Sequence, residues 1–425
     1  MGTPMWQRIA VWMLRLCVGA VFIVSGFVKM VDLWGFVFKI EEYLAVWQLV
    51  QPRTIVFMVA MLVSGYEFVL GTLLAMGCYK RVAPWGLMLA MAVMLPLTAY
   101  LWVADPVSDC GCFGDFWKMS NAATFWKNVA ITVALGVLLK WNAGLKESLF
   151  NPAIQWMVGA WISLYAIIVG LYGYNAQPML DFRAFPVGAP LVAEANEEDD
   201  NFMLLYEKDG VRKEFPLEAL PDSTWIFVDR VPLSGGDNYG VKGGDFAMFD
   251  GEGNDVTSEV VDGEGVRLLL VVPEPRRAGV TFSYVVNEVY EYADSIGIPF
   301  AALLGTDADG VLRWKDNAMA DYPCYSVDDT QLKELSRGNV SLVILNDGKV
   351  ESKTTLSSMN SDVIESPESS DAFILELTGH GKRWFTAINV IFGGALLLLY
   401  LFQGIILAIR AKIRRRYRRK ETKNS

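Results

Sequence analysis

The sequence predicts an α-helical membrane bundle that carries an α/β domain outside the bilayer. Three observations predict it. Six apolar blocks reach or approach the length of a bilayer crossing. Hydrophobic residues make up 53% of the 425 and charged ones only 20%, against about a quarter charged in soluble domains. The acid behind the formal net charge of −10 lies mostly between Asp181 and Glu376, in a stretch patterned as short strands and helices. A single water-soluble globule, a disordered chain and a protein that is membrane throughout are excluded. The one histidine, His380, argues against His-based metal sites and His-centred triads.

A hydrocarbon core about 30 Å thick needs roughly 20 apolar residues of helix. Residues 9–29, 54–77, 82–103, 124–141, 153–173 and 384–409 are the candidate spans, and the lipid bilayer is their first partner. The first is read as retained and not as a cleaved signal peptide, because its apolar run is too long, Arg15 sits inside it and no small-residue cleavage site follows. Lys80 and Arg81, Lys140 and Lys146, and the basic run from Arg410 to Lys423 then fall on one side with the N-terminus. That side should be the cytoplasm. The expected location is a bacterial inner membrane, with both termini cytoplasmic and residues 175–381 periplasmic. Residues 30–53 carry Trp34, Phe36, Phe38, Tyr43 and Trp47 among Lys39, Glu41 and Glu42, which suits a helix lying in the interface. The basic tail is read as a topology signal abutting a span, with no nucleic-acid partner expected.

The outer domain is read element by element. Residues 186–201, with the acidic run Glu197 to Asp200, read as a linker. Leu204 and Tyr206 alternate before the turn residues Lys208, Asp209 and Gly210, and 211–215 can return as a hairpin strand. Residues 245–257 suggest a strand, a Gly-rich turn and another strand. Residues 267–273 form a continuous apolar run of the kind buried on both faces of a sheet. A helix over 283–295, ended by Gly297 and Pro299, a strand over 300–304 and a helix over 330–337 follow. A hairpin of 340–345 with 349–353 then turns around Asn346, Asp347 and Gly348. This is the order of a thioredoxin-like domain. Its opening resembles the entry strands of periplasmic thioredoxin-like proteins of the TlpA type. Where such a domain places Cys-x-x-Cys, at a helix N-terminus that lowers a thiol pKa, this sequence has Pro273, Glu274, Pro275 and Arg276. The proline expected near Asn339 and Val340 is also missing. The domain should share the shape and lack two-cysteine exchange of its own.

Five cysteines are present: Cys17, Cys78, Cys110, Cys112 and Cys324. The first two are read as packing residues in spans. Cys110-Gly-Cys112 sits in the outward loop 104–121. Thiols one residue apart can close only a small strained ring, and strain makes a disulfide easier to reduce. The residues leave a redox pair, a static staple and half a metal site open. Two ligands without a nearby histidine make a poor metal site, so none is expected. Cys324 is a candidate partner thiol for the pair or an ordinary buried cysteine. Glu67, mid-span in Ser64-Gly-Tyr-Glu67, is costly in lipid unless paired or protonated. Arg15 is the natural partner by depth, forming either a structural ion pair or a proton or quinone-head-group site, while Lys29 is read as snorkelling.

Span one from Leu14 to Lys29, the string Cys110-Gly-Cys-Phe-Gly-Asp115 and Phe125-Trp-Lys-Asn128 together resemble the DoxX and MauE-like (methylamine utilisation) family of four-span membrane proteins. More narrowly, they resemble Bacteroidetes DoxX-family proteins with an appended degenerate thioredoxin-like domain. The resemblance implies a four-helix core over 1–150, a fifth span over 151–175, a linker and hairpin region over 176–240, a thioredoxin-like domain over 241–380, and a sixth span with a basic tail over 381–425. It implies redox or maturation work on a periplasmic client or thiol partner, with a membrane quinone as the candidate cofactor. Two functions stand side by side: a thiol-disulfide oxidoreductase module acting through Cys110 and Cys112, and a non-catalytic maturation factor. A transporter ranks below both, since the spans show no internal repeat.

Overall fold

The computed structural model describes residues 4–107, 109–142, 148–192, 202–208, 211–216, 226–232, 246–278, 281–359, 369–378 and 381–424. Lys146, the acidic run 197–200, the turn residues 209–210, Asp245 and His380 lie outside them.

Six helices among the described residues are long and apolar enough to cross a membrane. They are α1 (Met5–Val31), α3 (Arg53–Ala75), α4 (Val82–Ala104), α5 (Asn121–Trp141), α6 (Gln155–Asn175) and the apolar part, Arg383–Ile405, of a terminal helix labelled α12 below. Between α1 and α3 lies α2 (Leu33–Val46), whose first turn is capped by the Asp32 carboxylate accepting from Gly35 N. Its Leu33 and Val37 pack on Val56, Phe57 and Ala60 of α3, so the segment read as interfacial is a helix clamped to the bundle.

The tightest seam is α1 against α3. A Cβ on Gly26 would stand 2.5 Å from Phe68 N, and one on Gly19 would stand 2.8 Å from the Ala75 Cβ. Small residues of this kind let two backbones approach without lipid between them. The seam sets an antiparallel register in which Ser25 faces Glu67.

Outside the bundle, β1 (Phe202–Lys208), β2 (Val211–Pro216) and β3 (Ile226–Pro232) form an antiparallel sheet in the order β2-β1-β3. After α7 (Thr257–Val261) a second unit follows: β4 (Val266–Val272), α8 (Thr281–Ser295), β5 (Phe300–Leu304), α9 (Ala308–Ala318), β6 (Cys324–Ser326), α10 (Asp329–Leu335), β7 (Ser341–Asn346) and β8 (Lys349–Thr355). Its sheet runs β6-β5-β4-β7-β8, with β4, β5 and β6 parallel and β7 and β8 antiparallel. Side chains alternate across β4 as a strand requires. Leu268, Leu270 and Val272 meet Val286 and Val289 of α8, while Leu269 and Val271 meet Leu332 and Leu335 of α10. This double burial explains the unbroken apolar run. The short α11 (Ser370–Leu377) covers the α8 side through Phe373, and α12 (Gly381–Asn424) returns to the bundle. There the Tyr165 hydroxyl donates to Asn389 Oδ1 at 2.9 Å and Gln403 Nε2 to the Leu149 carbonyl at 2.8 Å.

Two sequence expectations are revised. Part of the supposed linker is packed, with Phe185 and Leu191 buried beneath the sheet and Gly188 N and Leu191 N donating to carbonyls of Val350 and Gly348. The strands expected over 245–257 reduce to single bridges of Phe249 with Asp255 and Ser326. Elements α9 and β6, not expected at all, complete the parallel edge of the sheet.

The chain enters the outer unit directly from α6. Gln177 Nε2 donates to the Arg337 carbonyl, Ser341 Oγ and Thr355 Oγ1, and its Oε1 accepts from Arg337 N. Further on, Asp181 binds both Arg183 and Lys353.

Candidate functional site

The loop between α4 and α5 is built at both ends. Asp105 closes α4 in a left-handed conformation, and Asn121 Nδ2 donates to Asp105 Oδ1 and to the Val107 carbonyl, each at 2.9 Å. Within the loop Gly111 has φ +65°, which favours glycine. Its N–H donates to Asp109 Oδ2 at 2.8 Å. The turn brings Cys110 Sγ and Cys112 Sγ to 2.8 Å as free, buried thiols among Leu101, Val107 and Phe113. The sulfur–sulfur contact, in which either atom can donate, lowers the Cys112 thiol to about 7, with the Lys127 and Lys29 charges assisting against burial. The same contact and its own burial move the Cys110 thiol the other way. The pair as a whole thus favours one thiolate beside one protonated sulfur.

Beneath the loop lies an ion pair. Lys29 Nζ reaches Glu67 Oε2 at 2.8 Å and Oε1 at 3.0 Å, with side chains 2% and 6% exposed. Ser25 Oγ lies 2.8 Å from both Glu67 Oε2 and the Cys112 carbonyl, so its single proton can go to either. Ser25 thus joins the pair to the loop.

This corrects the expected Arg15–Glu67 pair and the snorkelling Lys29. Arg15 is buried near the middle of α1, its Nε donating to Asn142 Oδ1 at 2.5 Å and its guanidinium 5.0 Å from the Trp12 ring. The two helices do not end at one level: with Gly26 against Phe68 N and Gly19 against Ala75, α3 starts about nine residues, roughly 14 Å, beyond the end of α1, which sets Glu67 beside the last turns of α1. Cys324 is not brought to the pair. It is buried on β6 in the sheet core, its Sγ 3.5 Å from the Tyr322 carbonyl, with its thiol raised to about 11 by burial. Cys78 is buried with Sγ 3.9 Å from Ser148 Oγ, and Cys17 is exposed on α1.

The outer unit meets this region through residues that the sequence alone did not single out. Arg337, just past α10, is buried. Its Nη2 binds Asp32 Oδ2 at 2.8 Å and Asp115 Oδ2 at 2.7 Å. Although buried, Asp32 is held below the usual carboxylate range by this guanidinium. At the end of β4, Glu274 accepts from Arg53, which also binds Glu41 of α2. Asn339 fixes Glu274 through two backbone hydrogen bonds of 3.0 Å. No cluster of three or more His, Cys, Asp or Glu able to hold a metal occurs among the described residues.

The segment that carries the paired thiols, the Lys29–Glu67 bridge and α1 to α5 can be placed among known families. Residues 7–140 match the family described as methylamine utilisation protein MauE. The MauE-like unit thus contains α1 to α5 and the whole Cys110–Cys112 loop. Residues 202–232, which are β1 to β3, match a domain of unknown function. No curated protein and no solved structure matches the chain.

Proposed function

We propose that this multi-pass protein carries out thiol-disulfide exchange at the outer face of a bacterial inner membrane, in support of the maturation of a periplasmic partner. The observation that carries this reading is the buried Cys110–Cys112 pair at 2.8 Å, with one thiol poised near neutrality. The Cys112 thiolate attacks one sulfur of a partner disulfide, forming a mixed disulfide and releasing the other partner sulfur as a thiolate, which takes up a proton. Cys110 then loses its proton and attacks the Cys112 sulfur. The Cys110–Cys112 disulfide closes and the second partner thiol leaves. Two electrons have passed from the pair to the partner, whose two sulfurs take one proton from Cys110 and one from water, and the reverse sequence oxidises a partner dithiol. Lys29 steadies the developing thiolate, and Ser25 links its carboxylate to the loop.

A membrane quinone stays outside this mechanism. Both Glu67 oxygens are engaged by Lys29 and Ser25. The periplasmic side and the cytoplasmic termini rest on the Lys and Arg bias of the connections. The likeness to DoxX proteins rests on span one, the loop string and Phe125-Trp-Lys-Asn128. A thioredoxin-like identity for the sheet unit is supported by its order β4-α8-β5 followed by the antiparallel hairpin β7-β8, with Glu274 where an exchange cysteine would stand.

A second reading, a non-catalytic maturation factor, is favoured by the MauE match and by the cysteine-free end of β4. Acid quenching of growing cells followed by thiol mass-tagging separates the two. Exchange predicts a mixture of dithiol and disulfide at Cys110 and Cys112 that shifts with added reductant, whereas a pair locked in one state removes the exchange reading.

A further inference from the structure

Thiol exchange requires an incoming sulfur to line up with one of the pair, yet Cys110 and Cys112 are only 6% and 9% exposed. Part of the cover is α2. The aliphatic chain of Lys39 lies on Gly111, where a Cβ would stand 2.7 Å from Lys39 Cγ. Lys39 Nζ binds Asp109 at 2.9 Å, and the Tyr43 hydroxyl donates to the Cys110 carbonyl at 2.5 Å. Against its burial, the carboxylates of Glu42 and Asp109 keep the Lys39 ammonium charged. Tyr43 also packs on the apolar cluster that holds the two sulfurs.

The outer unit grips the same helix from above. Arg337 holds Asp32, the cap of α2, and Asp115, three residues past Cys112. Phe38 of α2 lies under the cations of Arg53, Lys333 and Arg337, at 5.4 to 5.8 Å from its ring centre. Glu41 shares Arg53 with Glu274, which Lys333 also approaches at 3.6 Å.

From this placement we propose that the C-terminal half of α2, beyond the Leu33 and Val37 that anchor the helix on α3, is a lid over the Cys110–Cys112 pair and that the outer unit is its latch, so that a thiol partner reaches Cys112 only when the contacts of Arg337 and Glu274 release. The proposal deepens the exchange reading and rests on it for its purpose. Its test does not depend on cycling. The full-length protein in membranes is reduced chemically, pulsed with a water-soluble maleimide, and labelling of Cys112 is quantified by peptide mass spectrometry.

The latch predicts labelling about tenfold or more faster in Arg337→Gln and in Glu274→Gln, since labelling of a covered thiol follows the population of the open form. Tyr43→Phe should also accelerate it, and Arg313→Gln, exposed on α9, should leave it unchanged. Glu274→Gln is decisive, because Glu274 touches neither the loop nor Asp115, and limited proteolysis verifies that its outer unit stays folded. Wild-type labelling in Glu274→Gln overturns the latch even if Tyr43→Phe is fast. Wild-type labelling in Tyr43→Phe overturns the lid. A thiol pair that never cycles in cells would remove the exchange reading and leave these rates as they are.

Discussion

Replacing Lys29 by methionine removes the partner of a carboxylate from which solvent is almost fully excluded. Glu67 then keeps one hydrogen-bond donor, Ser25, which the Cys112 carbonyl also attracts. Breaking a buried pair by removing one member costs about 3–5 kcal/mol, because the remaining charge stays buried without compensation, whereas replacing both by apolar groups of similar volume is near neutral. Lys29→Met and Glu67→Leu should therefore each destabilise the bundle by about 3–5 kcal/mol. The double variant should recover most of the loss, giving a coupling energy of about 4 kcal/mol or more. Unfolding in mixed micelles of rising SDS fraction, followed by the fluorescence of the bundle tryptophans, measures all three against wild type. The mass-tag assay on the double variant then separates structure from chemistry, since a stable bundle with slower Cys112 alkylation is expected if Lys29 also supports the thiolate. If Lys29→Met unfolds like wild type, or the double variant is no better than the worse single, the buried pair is not what holds α1 to α3 here.

Three further outcomes are expected. Alkylation of Cys112 should rise with pH through a midpoint near 7 and level off above it, and Cys110→Ala should move the midpoint upward because the thiolate loses its donor; an unmoved midpoint would show that Cys110 does not tune its neighbour. Burial and the adjacent Arg183 bring the Lys353 ammonium down to about 7, so between pH 7 and about 10 the unfolded chain binds more protons than the folded one and stability rises with pH. That gain is lost progressively as pH falls from about 10 to 7, and Lys353→Met should flatten the profile in chemical denaturation. Gly26→Val should cost about 1–3 kcal/mol or more from overpacking against the Phe68 backbone, with the same unfolding assay showing a loss that Gly136→Val, where the added Cβ meets open space, does not share.

The six crossings were legible because lipid leaves little freedom: an apolar run of about 20 residues has few other uses. Strands β4 and β5 were equally plain, since burial on both faces leaves an unbroken apolar string, and the Asn346, Asp347 and Gly348 turn announced β7 and β8. Helix α9 was not legible, because it buries only Val311, Trp314 and Ala318 as apolar contacts and reads as a polar connection. Three-residue β6 is too short to carry a pattern. The thiol pair stood out by spacing alone, while Lys29 did not, because depth counted from helix ends ignores the axial offset that Gly19, Gly26 and Gly71 create. Arg337 and Asp115 lie 222 positions apart, and no local pattern links them.

The junction at Gln177 has a mechanical consequence. It is anchored two residues past the last residue of α6, so the chain between them spans about 7 Å at most. An outer unit fastened this close cannot drift away when its ion pairs open. It can only pivot, and each reclosure is an intramolecular encounter at an effective concentration in the millimolar range. A soluble protein competing for the same surface would have to overcome that local excess.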